Sequence, residues 1–500
     1  MKNLISFSLL SLTLAYANSD AINYLNSLRQ EAGVVTLSEQ NNLSDSAYNH
    51  SYYMYVNNVA GHIEQEGDEG FTGVYPSDRA LAAGYSSKIV SENVSWGAQY
   101  YQYSIDSLMS AIYHRFTFLS LDKDEIGTGS VGSFYTYNLG NSYLNALCEG
   151  NGSDNVNGSY YLLCKDSDKK VSLEDYNYAV SSLKSQANKV VVWPPKNAKS
   201  IPPVFFEEFP DPLPYYSVSG YPVSVEFNSY FYQTPPTVNS MELKDAQGNI
   251  VDIITLMDKD NDPNGKLNAY QYALFPSQRL EWGSTYYVTL NYNDESGEKE
   301  EQWCFATRAL ATDRFYRVEN NQEVTLKVVA NKSYSIYVVP NSGDDELGQL
   351  LYDSRIQLNL IDKNTIVVRT SEAVGSTLKI SADNEQIIYL EVAESDDAIA
   401  PKHEVCLEQS SGSSTQTTTQ TTIEVENLTI KSNEGVQKED ENLYSLSDEI
   451  RVEIHKSDDI ITIYKNNETL FDNLPIEQTV VEKKETIVEI QTNLPNEWVY

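Results

Sequence analysis

Positive charge is what this chain most conspicuously lacks. Thirty-five Lys and Arg face 71 Asp and Glu across 500 residues, a formal net charge of −36. Gripping a phosphate backbone takes clustered Lys and Arg, so nucleic acid is excluded as a partner. Docking onto anionic lipid headgroups through a basic patch is disfavoured for the same reason. Such a surface mainly promotes solubility. Long apolar runs are missing as well. Beyond Leu14 nothing approaches the ~20 apolar residues of a membrane-spanning helix, so no transmembrane segment is expected. Cysteine is scarce, with four residues, too few to build a disulfide scaffold in a chain this long. No C-x-x-C spacing occurs, which argues against a thiolate metal site.

The N-terminus carries an address. Lys2 precedes the apolar run Leu4–Leu14, and Ala15 and Ala17 flank Tyr16. This pattern reads as a secretory signal peptide over residues 1–17, cleaved after Ala17. No cysteine stands at the cleavage point, so a lipid anchor is not indicated. The mature protein is therefore expected to be secreted: extracellular, on the cell surface or periplasmic. Export permits disulfides. Cys148 and Cys164 flank the polar loop Glu149–Gly158 and form the natural pair. Cys304 and Cys406 would pair only if two later modules touch.

Hydrophobic residues make up 41% of the chain, enough for packed cores, and its length calls for several domains. Tyr outnumbers Phe 37 to 14, which suits half-buried strands. The fold class expected is multidomain α+β. Residues 18–188 mix helix and strand. Ser19 and Asp20 cap a first helix, and Leu43, Ala47, His50 and Met54 share one face of a second over 40–58. Ser77 caps a short helix stopped by Gly84, a fourth runs over 104–118, and strands fill 126–140. A last helix spans 171–188. The pairs Pro194-Pro195 and Pro202-Pro203 read as a linker. Alternating apolar residues then predict a β-sandwich at 200–310 and a second β module at 311–400. Residues 407–422 form a Ser/Thr/Gln linker, and 423–500 a C-terminal β module.

Three of the five histidines, His50, His62 and His114, fall in one region together with Glu92. Imidazoles with a carboxylate are what a divalent-cation site or an acid–base pair requires. Each also has a plainer explanation. His50 on an apolar helix face reads as a satisfied core histidine, His62 as a turn residue, His114 as a helix C-cap, and Glu92 as an acceptor of backbone amides. The run Asp258–Gly265 alternates carboxylates as a Ca²⁺ loop does, but Pro263 occupies the place of the sharp-turn glycine, so an acidic turn is expected.

The order of short motifs is more specific. It comprises Ala47-Tyr48-Asn49-His50, Gly61-His62, Tyr75–Ala80 with Pro76 and Arg79, and Ala82-Ala83-Gly84-Tyr85. It continues with Ser91-Glu92-Asn93-Val94, His114-Arg115 and Ile126-Gly127-Thr128-Gly129. Residues 20–140 thereby resemble the bacterial branch of the CAP superfamily (SCP-like; cysteine-rich secretory, antigen 5 and pathogenesis-related proteins). The resemblance implies an α-β-α sandwich with a central cleft containing His62, Glu92 and His114. There the two histidines would hold a divalent cation such as Zn²⁺ beside Glu92, the one candidate catalytic residue, and His50 would be the extra cleft histidine of the bacterial form. Two departures stand out. Ser110-Ala111-Ile112-Tyr113 replaces the usual S-P-G, and no second cleft glutamate is evident, Asp106 being a candidate only. Ser219–Val225, Gly283–Tyr286 and Trp303–Thr307 carry a fainter likeness to bacterial immunoglobulin-like domains, which implies spacers or adhesion surfaces.

Three functions follow. One is an exported binding protein for a small molecule, lipid or cell-surface ligand. A second is a metal-assisted hydrolase of peptides or esters. A third is a structural or adhesive surface protein with an inactive scaffold.

Overall fold

The computed structural model describes residues 19–154, 159–319, 323–341 and 345–406, and the backbone of strand segments between residues 421 and 491. The chain divides into two compact units, Met1–Glu408 and Gln409–Tyr500. The expected signal peptide and most of the expected 407–422 linker lie outside the described residues.

The N-terminal domain begins with α1 (residues 19–31), β1 (Ser38–Glu39), α2 (Asn41–Asn57), α3 (Pro76–Ala82) and β2 (Ser91–Ser95). It continues with α4 (Tyr101–Ser110), α5 (Ile112–Phe118), β3 (Glu125–Val131), β4 (Phe134–Gly140) and α6 (Ser142–Glu149). The sheet runs β1-β3-β4-β2, with β1 parallel to β3 and the other neighbours antiparallel. The Gln40 side chain caps α2 by accepting from Leu43 N at 3.1 Å, and Asn58 ends it in the left-handed region at φ 51°. The predicted face of Leu43, Ala47, His50 and Met54 is fully buried.

Strand β3 shows why its two glycines are needed. A Cβ on Gly127 would lie 2.0 Å from the Leu43 backbone carbon, and one on Gly129 2.1 Å from Tyr48 N. Helix α2 rests directly on strand backbone there. On the opposite face Ile126, Tyr137 and Leu139 join Ile22, Leu25, Ile105 and Leu108 in one apolar cluster, so helices cover both sides of the sheet.

Three local expectations are corrected. Helix α3 starts at Pro76, with Tyr75 as its N-cap and Asp78 accepting from Tyr75 N, so Ser77 lies inside it. The 171–188 helix is Leu173–Lys184, capped by the Ser172 side chain after a two-residue strand. The single 104–118 helix is two. Ala111 adopts an extended conformation (φ −81°, ψ 119°) between α4 and α5 without proline or glycine. The groups freed by this break are satisfied elsewhere. Arg115 donates through Nε to Met109 O at 2.6 Å and through Nη2 to Ser110 O at 3.4 Å. Glu208, from the following module, accepts from Ile112 N at 2.6 Å and Tyr113 N at 3.1 Å. Unpaired backbone groups cost too much when buried for the break to persist without such partners.

The Pro-rich stretch is not a linker. Val190–Trp193 pairs with Val223–Phe227 in a four-stranded sheet, and Ala198–Ile201 pairs with Gly297–Thr307 in a second. The first β-sandwich therefore begins about ten residues before the 200 boundary expected, at Val190. The apolar cluster of the N-terminal domain continues into it through Val191, Val223, Val225 and Phe227. A second pair of four-stranded sheets spans Arg314–Val392 around Ile336, Ile366, Leu378 and Leu390. Cys148 is bonded to Cys164. Cys304 is bonded to Cys406, so those later segments do touch. In the second unit, strands from Thr421–Val425 to Ile487–Gln491 form a four-stranded and a five-stranded sheet.

Glu226 lies between the first sandwich and α5, in a small space lined by Phe116, Leu119, Trp193 and Ser224. Its Oε2 is buried without a hydrogen-bond partner. Burial pushes the carboxyl from 4.5 up to about 7, against the weaker opposing pulls of Gln271 and Lys184. A folded pKa above the unfolded one contributes stability at pH below about 4.5 that is lost as pH rises through about 7.

Two outcomes are expected. Gly129→Ala should lower the denaturant midpoint sharply, corresponding to a stability loss of about 3 kcal/mol, the upper end of ordinary overpacking costs; an unchanged midpoint would contradict the helix-on-strand contact. Glu226→Gln should reduce the loss of stability between about pH 4.5 and about pH 7 relative to wild type. Parallel stability–pH curves for the two proteins would show that Glu226 does not titrate across that range.

Candidate functional site

The loop after α2 brings His62 above the sheet, and β2 carries Glu92 beneath it. His62 Nδ1 lies 3.0 Å from Glu92 Oε1. Arg79 of α3 approaches the same carboxylate from behind, its Nη2 at 2.7 Å and 2.8 Å from the two oxygens. The guanidinium is fully buried. Its Nη1 donates to the backbone oxygens of His62 at 2.9 Å and Val74 at 3.2 Å. Its Nε lies 3.6 Å from Glu64 Oε1. One buried cation therefore stands between two buried carboxylates and fixes the loop that carries His62.

His50 belongs to this support. It was expected on the cleft wall, but it is fully buried, with Nδ1 2.8 Å from Glu64 Oε1 and Nε2 2.8 Å from Gly61 O. Both neighbours are acceptors, so both hydrogen bonds form together only when each ring nitrogen carries a proton. The other Glu64 oxygen accepts from Thr72 N at 2.7 Å and Gly73 N at 3.3 Å. His50 thus holds the loop from below, and the core-histidine explanation applies to it.

His114 stands in the first turn of α5, facing His62. The ring centroids are 6.4 Å apart and the planes are inclined by 21°. His62 is 37% exposed and His114 12%. Asn93, next to Glu92, donates from Nδ2 to His114 O at 2.9 Å and ties α5 to β2. His114 Nδ1 lies 2.8 Å from Glu208 Oε2. Both facing histidines therefore turn Nδ1 toward a buried carboxylate. In the neutral ring that makes Nδ1 the donor and leaves the Nε2 lone pair as the free group.

The structure brings His62, Glu92 and His114 to one place and sets His50 behind them. Asp106 is elsewhere: its carboxylate accepts from Tyr24 Oη at 2.5 Å and from Arg308 Nη2 at 2.8 Å. The second carboxylate at the histidine pair is Glu208, far along the chain and without a local signal in the sequence. Glu64 has no distinguishing signal either, being one of several acids in its loop. Arg79 is visible as part of a motif, but nothing in the motif indicates that it is buried. The Asp258–Gly265 run is a turn, as expected. Asp262 accepts backbone N–H groups of Asn264, Lys266 and Leu267, and Tyr113 of α5 donates its hydroxyl to the same carboxylate.

Glu92 is poorly placed as a base. Burial pushes its carboxyl up, but the His62 hydrogen bond, the Arg79 charge and the other imidazole contributions outweigh burial and leave it below its ordinary range. Both oxygens are already engaged.

Residues 22–148 match the family model described as CAP, the cysteine-rich secretory protein family. No curated protein matches the chain. Among solved structures, an extracellular protein containing an SCP domain from Bacillus anthracis is 19% identical over 25% of this chain, with a TM-score of 0.23. The match spans 40% of that protein's own length. An outer surface protein of Borrelia burgdorferi is 14% identical over 24% of this chain and 87% of its own, with a TM-score of 0.21.

Replacing Arg79 by Met should leave two buried carboxylates uncompensated and destabilise the protein by about 3–5 kcal/mol. The double variant R79M/E92Q should lose less than the sum of the single losses in a denaturation cycle. Strict additivity would mean that the two side chains are not coupled.

Proposed function

We propose that this chain, whose residues 22–148 form a CAP domain, is an exported binding protein that engages a small or cell-surface ligand at the His62–His114 pair. One observation carries the proposal: two facing imidazoles each have Nδ1 against a buried carboxylate, so their Nε2 atoms are the groups left to meet a ligand. Cys148–Cys164 and Cys304–Cys406 support export, because such bonds persist in oxidising compartments. So does the signal-type N-terminus.

A divalent cation is a reasonable intermediary. Among the described residues no group of three or more His, Cys, Asp and Glu is arranged to hold a metal ion. Glu92 and Glu208 serve as outer partners of the imidazoles instead, the usual arrangement behind a metal-bound histidine. The residues thus fit an exchangeable cation held by His62 and His114 and completed by the ligand, rather than a closed structural site of four protein ligands. Bound there, the cation would supply a Lewis-acidic anchor for an oxygen of the ligand. This chain's residues orient the two rings, and Glu92, held ionised by the His62 hydrogen bond and the Arg79 charge, accepts the His62 Nδ1–H hydrogen bond.

The hydrolase reading is weaker. It asks Glu92 to take a proton from water, whereas this carboxylate is a depressed, doubly engaged base.

Zn²⁺ titration calorimetry of the whole protein tests the proposal. His62→Ala and His114→Ala should each weaken binding by about tenfold or more, and His50→Gln should act chiefly on stability. Wild-type affinity in both alanine variants would remove the histidine pair from the binding site. Hydrolysis of peptides or esters that depends on Glu92 would favour the hydrolase instead.

A further inference from the structure

The cleft is not completed by its own domain. Glu208 lies beyond residues 22–148, in the segment leading into Ser219–Gly220 of the first sandwich. Its side chain is 1% exposed. Three groups of α5 converge on the carboxylate: Ile112 N at 2.6 Å, Tyr113 N at 3.1 Å and His114 Nδ1 at 2.8 Å. The surrounding interface fixes the position of Glu208. Arg115 is fully buried and donates through Nη1 to Pro222 O at 2.7 Å and Ser224 Oγ at 3.0 Å. Tyr221 donates its hydroxyl to Met109 O at 2.9 Å. Asn264 reaches the Tyr113 hydroxyl at 3.1 Å, and Ile112 packs with Phe205, Leu213 and Phe275.

We infer that Glu208 is the positioning residue for His114, so that the binding cleft is a shared site of the CAP domain and the first β-sandwich. Without this carboxylate nothing described near His114 Nδ1 would select the tautomer that frees Nε2. The amides of Ile112 and Tyr113 would also lose their acceptor, and the turn at Ala111 that aims the ring at His62 would lose its anchor. The second cleft carboxylate, absent from the domain's own sequence, is supplied from the neighbouring module. Ligand affinity at His114 is thereby coupled to docking between the two modules. This inference rests on the reading of His114 as a ligand-meeting group.

The experiment uses the full chain and reads two quantities. Long-range ¹⁵N–¹H spectra of the imidazoles report tautomers without any metal. Titration with Zn²⁺ reports affinity. Wild type should show His114 protonated at Nδ1. Glu208→Ala should give a mixture of His114 tautomers with His62 unchanged, and Zn²⁺ affinity should fall about 10–100-fold, the range for loss of an outer carboxylate partner. Should that variant fail to fold, Glu208→Gln serves. Its single amide oxygen cannot accept from the imidazole and both amides as two carboxylate oxygens do, so the same shift in tautomer and about a tenfold loss are expected. An Nε2-protonated His114 in wild type would overturn the inference. So would a folded variant with lower Tm but wild-type tautomer and affinity, because Glu208 would then be structural only. Failure of wild type to bind Zn²⁺ would count against the proposed cation instead, and the tautomers would still decide the role of Glu208.

Discussion

The buried Arg79 guanidinium organises the histidine cleft of the N-terminal domain. Arg79 has no access to solvent and lies against two carboxylates that have almost none. An isolated buried ion costs several kcal/mol, so each of these groups is tolerable only with the others in place. Glu92 receives His62, Glu64 receives His50, and Arg79 Nη1 donates to backbone oxygens of the loop between them, while its Nε faces Glu64 at 3.6 Å. The exposed imidazole is therefore fixed by charges that never reach the surface. Preorganisation of this kind is what the proposed recognition requires, because an already ordered ring need not be ordered when a ligand arrives.

The opposite wall depends on a broken helix. Residues 101–118 carry no proline or glycine, and the apolar spacing of Ile105, Leu108, Met109 and Ile112 favours one continuous helix. Tertiary contacts override that preference. Arg115 takes the carbonyls released at Met109 and Ser110, and Glu208 takes the amides released at Ile112 and Tyr113. The acceptor for the freed amides comes from a neighbouring module. Fold and site thus share one interface.

Much of the domain was legible from local signals. Helix α2 follows from its apolar period, whereas its Gln40 and Asn58 caps and the fit of Gly127 and Gly129 against it emerge only in the folded chain. The Cys148–Cys164 pair followed from the polar loop it closes. His62, Glu92 and His114 could be assigned to one cleft because short motifs occur in a recognisable order. His50 could not be assigned. An imidazole on an apolar face looks the same in sequence whether it lines a cavity or binds a buried carboxylate. The proline pairs near residues 194 and 202 misled for a related reason. Proline breaks helices, but it is also tolerated beside short strands such as Val190–Trp193 and Ala198–Ile201.

The sequence by itself determined the resemblance of residues 20–140, the residue types near His62 and His114 and the acidic character of the chain, because composition, period and motif order are properties of neighbouring positions. The tertiary structure alone decided that Arg79 is buried between two carboxylates, that His50 is buried against Glu64, and that Glu208 meets His114. Those are facts about burial and about partners far apart in the chain. Whether a charge is paired in the dark or solvated at the surface depends on what packs against it, and only the folded chain brings those groups together.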